Sequence, residues 1–277
     1  MKNFSLSFYS KIIITIFVAM FIWWVSINIQ HMQDTSQNFF YGAMLGVLPV
    51  LGALFGFVNS KRWGGFSSSM GKSVFFLSLG LFTWGIGTLI FAYYNIYLQI
   101  AVPYPSIADL FYIVSWPLWV VGMLQLSHAT GARYSLQSSK GKAMLLFIPI
   151  LVILISYYLL VVVGRGGVLD VSLDGGGLKL FFDLAYPIGD VVVLSLAALI
   201  YSLSYSYLGG KFKWAIYFII IGFIANYLAD FSFSYTTTLE TFYTAGWVDL
   251  LFTVAMFILS IGVTSLDPKV LTTNNES

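Results

Sequence analysis

The sequence predicts an all-α fold: a polytopic membrane helix bundle of about eight transmembrane helices, with both the N and the C terminus in the cytoplasm. The first reason is composition, since 59% of the residues are hydrophobic, 9% are charged and the mean hydropathy is +0.88. A water-soluble domain is roughly one quarter charged, because its surface must be solvated. A chain so poor in charge suits a lipid environment. The other two reasons are a regular series of apolar segments and an alternation of basic loops between them.

A helix needs roughly 20 mostly apolar residues to cross the ~30 Å hydrocarbon layer. Segments of this kind lie at 12–29, 39–59, 73–98, 105–127, 143–163, 179–205, 214–235 and 245–266. The third and the sixth are longer than a span requires, which favours tilt or emergence from the bilayer. Short polar connectors separate the segments. We therefore predict a single transmembrane helical domain over residues 1–266 and a short cytoplasmic tail over residues 267–277.

The first segment has some features of a secretory signal, because Lys2 and Lys11 precede an apolar run. Its apolar stretch is too long, however, and residues 26–30 do not form a small-x-small cleavage site. We interpret it as a retained helix. The fourth and sixth segments each contain a proline, Pro117 and Pro187, and we expect a kink at both because proline removes a backbone hydrogen bond.

Orientation follows from the basic residues, because cytoplasmic loops collect Lys and Arg. Eleven of the thirteen lie at the N terminus, between segments two and three, four and five, or six and seven, or after segment eight. The alternate loops carry only Arg165 and Lys179. An odd number of spans would scramble this pattern, so the alternation supports eight. We expect a multi-pass protein of the plasma membrane.

Five carboxylates fall inside the predicted helices: Asp109, Asp183, Asp190, Asp230 and Asp249. A carboxylate in hydrocarbon costs about 3 kcal/mol even on the most lenient scale, so such residues usually face the bundle interior and have a partner or a task. The topology places all five in the outer half of the bundle. Asp190 lies roughly 10 Å deeper than Asp183, at a rise of ~1.5 Å per residue. The one Lys or Arg of the predicted spans is Lys179, at the edge of the sixth, so either several of these acids carry protons or they bind a cation or an amine.

A simpler interpretation competes for some of these acids. An Asp in the first helical turn caps free N–H groups and complements the helix dipole, which is sufficient to explain Asp109 and Asp249. It explains Asp183 less well and Asp190 not at all, because Asp190 follows Pro187 and Gly189 inside a helix. For Asp230, one turn after Asn226, a shared polar face and a structural role are equally compatible with the sequence.

Aromatic residues near the acids extend the candidate site. Trp116 lies deeper than the interfacial tryptophans, and beside the acids it would form an aromatic wall suited to a cation or a flat ligand. Tyr112 stands in a pattern shared by four even-numbered segments, in which Asn38, Asp109, Asp183 or Asp249 precedes an aromatic residue by three positions. This pattern indicates an internal repeat or the ordinary chemistry of helix entry. The candidate ligand-binding residues are Asp109, Tyr112, Trp116, Asp183, Asp190, Asn226, Asp230 and Asp249.

Three stretches resemble a known group of proteins. They are residues 103–112 followed by Trp116 and Pro117, residues 184–190, and residues 246–250. Together they resemble the multi-helix N-terminal membrane sensor region of bacterial diguanylate cyclases, phosphodiesterases and histidine kinases. This resemblance implies a receptor for an unidentified signal coupled to a cytoplasmic output domain. Residues 266–277 are too few for such a domain, so we expect the output to lie on a separate cytoplasmic signalling protein.

The leading hypothesis is therefore a sensor-like input module that binds a small ligand or cation near the outer face. The alternative is a proton- or cation-coupled transporter, for which kinked helices and buried acids serve equally well. An enzyme is disfavoured, because the chain has no Cys, only two His and no phosphate-binding loop. We expect no cofactor and no metal, and a net charge of +2 does not suggest nucleic acid.

Overall fold

The computed structural model describes residues 7–130, 139–164, 166–167, 177–204 and 213–269. In this part of the chain, eight helices are long and apolar enough to cross a membrane, so the prediction of an eight-span, multi-pass membrane fold is confirmed. They are α1 (Phe8–Ile29), α2 (Ser36–Arg62), α3 (Ser69–Tyr93), α4 (Ile107–Ala129), α5 (Ser139–Ser156), α6 (Gly177–Ser204), α7 (Lys213–Thr238) and α8 (Trp247–Ser265). Wider π-helical turns extend α3 over Tyr94–Leu98 and α5 over Tyr157–Val163.

Polar side chains fix where several of these helices begin. The Oγ atoms of Ser7 and Ser68 accept hydrogen bonds from the backbone N–H groups of Ser10 and Gly71, at the starts of α1 and α3. Such caps satisfy N–H groups that have no partner within the helix. They explain why α1 begins at Phe8, ahead of the apolar run that the sequence marks from residue 12.

Six helices form a closed ring in the order α2, α3, α4, α6, α7 and α8, each packed against the next. The two remaining helices lie outside this ring. The first, α1, packs against both α2 and α8, whereas α5 packs against α6 and, through its last turns, against α7. Small residues permit the close contacts within the ring: a Cβ atom added at Gly46 of α2 would lie 2.9 Å from the carbonyl oxygen of Gly85 in α3.

We call one end of the bundle the Asx end, where α2, α4 and α8 begin with Asn38, Asp109 and Asp249 in their first turns. Here the connection between α7 and α8 is held by side chains of other helices. Trp24 Nε1 donates to the carbonyl oxygen of Gly246 at 3.1 Å, and Asn38 Nδ2 donates to that of Thr244 at 2.9 Å.

We call the opposite end the basic end, where α1, α3, α5 and α7 begin and α8 ends. Ser7 Oγ donates to the carbonyl oxygen of Thr264 at 3.1 Å, so the start of α1 and the end of α8 lie together. Arg62 Nη1 binds Asp267 Oδ2 at 2.9 Å, and Asp267 is buried. Asp267, the first residue of the predicted tail, thus packs against the end of the bundle.

The predicted prolines lie inside their helices, Pro117 in α4 and Pro187 in α6, and two further prolines do so as well, Pro49 in α2 and Pro149 in α5. Each removes one backbone N–H donor from its helix. Pro187 matters most for function, because the freed carbonyl group and the carboxyl group of Asp190 lie within two turns of α6.

Candidate functional site

The core of the candidate site is a pair of carboxyl groups in the interior of the ring. Asp190 of α6 is buried, and its carboxyl group lies close to that of Asp230 in α7. The side chain of Trp116 in α4 also lies close to Asp190. On the other side of the pair, Asn226 Nδ2 donates to Asp230 Oδ2 at 2.7 Å. Three helices that are far apart in the sequence therefore meet at one polar cluster.

Two carboxyl groups can hydrogen-bond to each other only if a proton lies between them, because an ionised carboxylate only accepts. A cation between the oxygens would serve the same purpose. Among the described helices, every Lys and Arg lies in a first or last helical turn, away from this pair along the helix axis. The cluster of Asp190, Asp230 and Asn226 thus depends on a proton or on a positively charged ligand.

Asn226 adds a second polar requirement to this cluster. Its side chain is only 3% exposed, and its Oδ1 atom has no hydrogen-bond partner. A buried carbonyl oxygen without a donor is unfavourable by about 1–3 kcal/mol, so native proteins rarely leave one unexplained. A cation ligand, or a ligand with an N–H group, would satisfy it.

Asp109 has two roles, one local and one between helices. Its Oδ2 accepts hydrogen bonds from the backbone N–H of Ser106 at 2.6 Å and from Ser106 Oγ at 2.9 Å, which caps α4. Its Oδ1 accepts from the hydroxyl group of Tyr186 in α6 at 2.7 Å. The capping interpretation is therefore correct for one oxygen, while the other joins α4 to α6.

Asp249 follows the capping interpretation more closely. Its Oδ2 accepts a hydrogen bond from the backbone N–H of Ala245 at 2.7 Å, next to the start of α8. The carboxyl group is nevertheless buried within the bundle. Asp183 lies in the described part of α6, but its side chain lies outside the described residues.

Tyr112 connects these separate groups. Its hydroxyl group donates to Thr88 Oγ1 of α3 at 3.2 Å, and it lies within electrostatic range of Asp109, Asp230 and Asp249. The structure thus brings together Asp190, Asp230, Asn226 and Trp116 by direct contact. It places Asp109, Asp249 and Tyr112 nearby, each with a hydrogen bond of its own outside the pair.

Sequence reasoning missed two tyrosines of this region. Tyr186 stands in the pattern of an aromatic residue three positions after an Asx, and that pattern was the signal that pointed to it. Tyr227 lies within electrostatic range of Asp190 and donates to Ser156 Oγ of α5 at 3.0 Å. It adjoins Asn226 in the sequence, but nothing in the apolar surroundings of α7 marks it as part of a polar cluster.

An apolar cleft of about 410 Å³ adjoins the cluster between α4 and α6. Trp116 and Gly189 form part of its wall, and the remaining side chains that line it are hydrophobic. Within the described residues, no group of three or more His, Cys, Asp or Glu side chains is arranged to hold a metal ion.

The chain matches no model of a protein family, and no curated protein or solved structure matches it. The resemblance of residues 103–117, 184–190 and 246–250 to bacterial sensor regions therefore stays a prediction.

Proposed function

We propose that this chain is a sensor-like input module of the plasma membrane that binds a small cation or cationic ligand at Asp190, Asp230 and Asn226. The observation that carries the proposal is the contact between two carboxyl groups of different helices, with an unpartnered amide oxygen beside them. Such a cluster exchanges a proton for another positive charge. The binding residues predicted from the sequence then fall into a central group, Asp190, Asp230, Asn226 and Trp116, and a surrounding group.

Signalling requires that the ligand favour one arrangement of helices over another, since a ligand that binds two states equally shifts neither. The carboxyl pair is placed for this purpose, because it joins α6 to α7 and, through Trp116, to α4. Replacing a shared proton by a larger cation separates the two carboxyl groups. Pro187 lies three residues before Asp190, where α6 lacks one backbone hydrogen bond and bends at lower cost.

The orientation of the proposed sensor rests on the basic residues. In the sequence, eleven of the thirteen lie at the N terminus, in alternate connections between the predicted spans or after the last span, and we place the corresponding end of the bundle in the cytoplasm by the positive-inside rule. The Asx end then faces the outside, and both termini are cytoplasmic. The basic end is where a separate cytoplasmic signalling protein would receive the signal.

The test is ligand-dependent stability of the purified protein in lipid nanodiscs. We expect added NaCl to raise the midpoint of thermal unfolding of the wild-type protein, because a ligand that binds only the folded state stabilises it. Asp190→Asn and Asp230→Asn should each abolish this rise. Asp34→Asn is the matched control, since Asp34 lies exposed in the connection between α1 and α2. Equal responses of all four proteins would contradict the proposal.

A flux measurement separates sensing from transport. A transporter moves ²²Na⁺ or protons into liposomes without any partner, whereas the proposed sensor binds the ion without moving it. If flux is found and depends on Asp190, the protein is a transporter and not a sensor. Asp190, Asp230 and Asn226 would then still be its binding site.

A further inference from the structure

The cleft between α4 and α6 faces the side of the bundle that the hydrocarbon layer surrounds. Its wall includes Ile113, Trp116 and Val120 of α4, and Ala185, Ile188 and Val192 of α6. Ile188 and Val192 are 61% and 41% exposed, so the cleft opens outward from the ring. With a volume of about 410 Å³, it is large enough for an alkyl chain or a small ring. A molecule dissolved in the bilayer reaches it without passing through water.

Trp116 borders both this cleft and the carboxyl pair. Its indole ring lines the cleft and also lies close to the carboxyl group of Asp190. The ring lies directly on the backbone of α6, because residue 189 is glycine: a Cβ atom there would overlap Cδ2 of Trp116. The cleft and the carboxyl pair therefore both border the same aromatic ring.

The charges around this ring select the kind of ligand. Asp190 and Asp230 are the acidic groups behind Trp116, and the cleft lining has no charged side chain. The Lys and Arg residues of the described helices lie in first or last turns, away from the middle of α4 and α6. An anionic head group would meet carboxyl groups here, and a neutral one would gain nothing from them.

We propose that the ligand of this site is a hydrophobic ammonium compound that enters from the bilayer. Its hydrocarbon part occupies the cleft, and its ammonium group lies against the Trp116 ring, where cation–π attraction and the negative charge of the pair act together. The proton shared by Asp190 and Asp230 leaves for water when the ammonium binds, so one positive charge replaces another and the net charge of the site is unchanged. This inference rests on the proposed function, because it names the ligand class of the same site.

The test compares three probes on the protein in nanodiscs: octylammonium chloride, 1-octanol and ethylammonium chloride. Octylammonium has both the chain and the charge, whereas each of the others lacks one of them. We expect octylammonium to raise the unfolding midpoint at concentrations at least about tenfold lower than either control, since tenfold corresponds to ~1.4 kcal/mol, within the range of a desolvated cation–π contact plus apolar burial. Equal effects of 1-octanol would overturn the inference.

Two matched variants locate the binding. Val192→Phe fills part of the cleft, and Val18→Phe makes the same change on α1 at a valine that is 47% exposed. We expect Val192→Phe to weaken octylammonium binding about tenfold, because the larger ring takes the place of several methylene groups of the ligand. Val18→Phe should leave it unchanged. Both changes are on exposed positions, so the variants should fold.

The outcomes also separate this inference from the proposed function. Suppose that NaCl stabilises the wild-type protein in an Asp190-dependent way while Val192→Phe and Val18→Phe bind octylammonium equally. The inorganic cation site then stands, and the hydrophobic ligand is rejected. If Asp190→Asn changes neither the response to NaCl nor that to octylammonium, both are rejected.

Discussion

Two seams of the bundle have the same layout and different chemistry. Between α2 and α8, the hydroxyl group of Tyr41 lies 2.9 Å from Thr253 Oγ1, and α1 packs over both helices. Between α4 and α6, Tyr186 donates to Asp109, and an apolar cleft remains open. A tryptophan ring lies edge-on to the tyrosine in each seam, Trp23 on Tyr41 and Trp116 on Tyr186. We call these the closed seam and the open seam.

The chemical difference between the two seams indicates which polar contacts stabilise the fold and which bind a ligand. A pair of neutral hydroxyl groups satisfies itself, so the contact between Tyr41 and Thr253 needs no charged partner. The open seam instead places carboxyl groups next to a cleft and requires a positive charge to balance them. If the acids were only structural, the neutral arrangement of the closed seam would have served at lower cost.

The largest expected effect contrasts the glycines of the two seams. Gly52→Ala in the closed seam would press a methyl group against Ser260, whose short side chain cannot move away, and we expect a loss of about 2–3 kcal/mol. Gly189→Ala would displace the Trp116 ring, which can shift into the cleft, and we expect a loss under about 1 kcal/mol. Unfolding in detergent measures both. Equal losses would mean that the open seam is packed as firmly as the closed one.

A smaller contrast concerns the two tyrosine hydroxyl groups. Tyr186→Phe leaves Asp109 Oδ1 without its donor from α6, so we expect a loss of about 1.5–3 kcal/mol, as for hydrogen bonds to charged groups. Tyr41→Phe removes a bond between neutral groups and should cost about 1 kcal/mol. The free energies of unfolding of the two variants, compared with the wild type, provide the measurement. A reversed order would show that Asp109 is adequately satisfied by Ser106 alone.

The smallest expected effect on stability comes from substituting the two tryptophans. Here ligand binding is measured as well as stability. Trp23→Phe and Trp116→Phe each keep an aromatic ring beside a tyrosine and lose one indole N–H donor, which should cost about 0.5–1.5 kcal/mol. Only Trp116→Phe should weaken the response to octylammonium, because phenylalanine attracts cations less strongly than tryptophan. Weakening by Trp23→Phe to the same extent would assign the effect to general packing.

The helices themselves were accessible from sequence because apolar length and polar caps are local properties. All eight segments lie where hydropathy placed them, and the ends differ by a few residues at positions such as Ser7, where a cap extends the helix. Asp190 was recognisable for the same reason, since a carboxylate beside Pro187 and Gly189 cannot be a helix cap. Each of these predictions depends on the sequence of a single segment.

The arrangement of the site was not accessible, because it depends on which helices are neighbours. Nothing in the composition of α6 or α7 states that Asp190 meets Asp230, or that α5 packs away from the open seam. Asp109 shows the difficulty within one residue: its bond to Ser106 follows from sequence spacing, whereas its bond to Tyr186 requires that α4 and α6 be adjacent.

The contacts at the basic end also indicate how the chain can be circularly permuted. Ser7 touches Thr264, and Arg62 holds Asp267, so the two ends of the described bundle lie side by side. A short Gly/Ser linker from residue 267 to residue 7 would span this distance, and new termini opened in the connection between α3 and α4 would leave every helix intact. Circular permutation should therefore yield a bundle whose reporter domains are attached at the Asx end, beside the open seam.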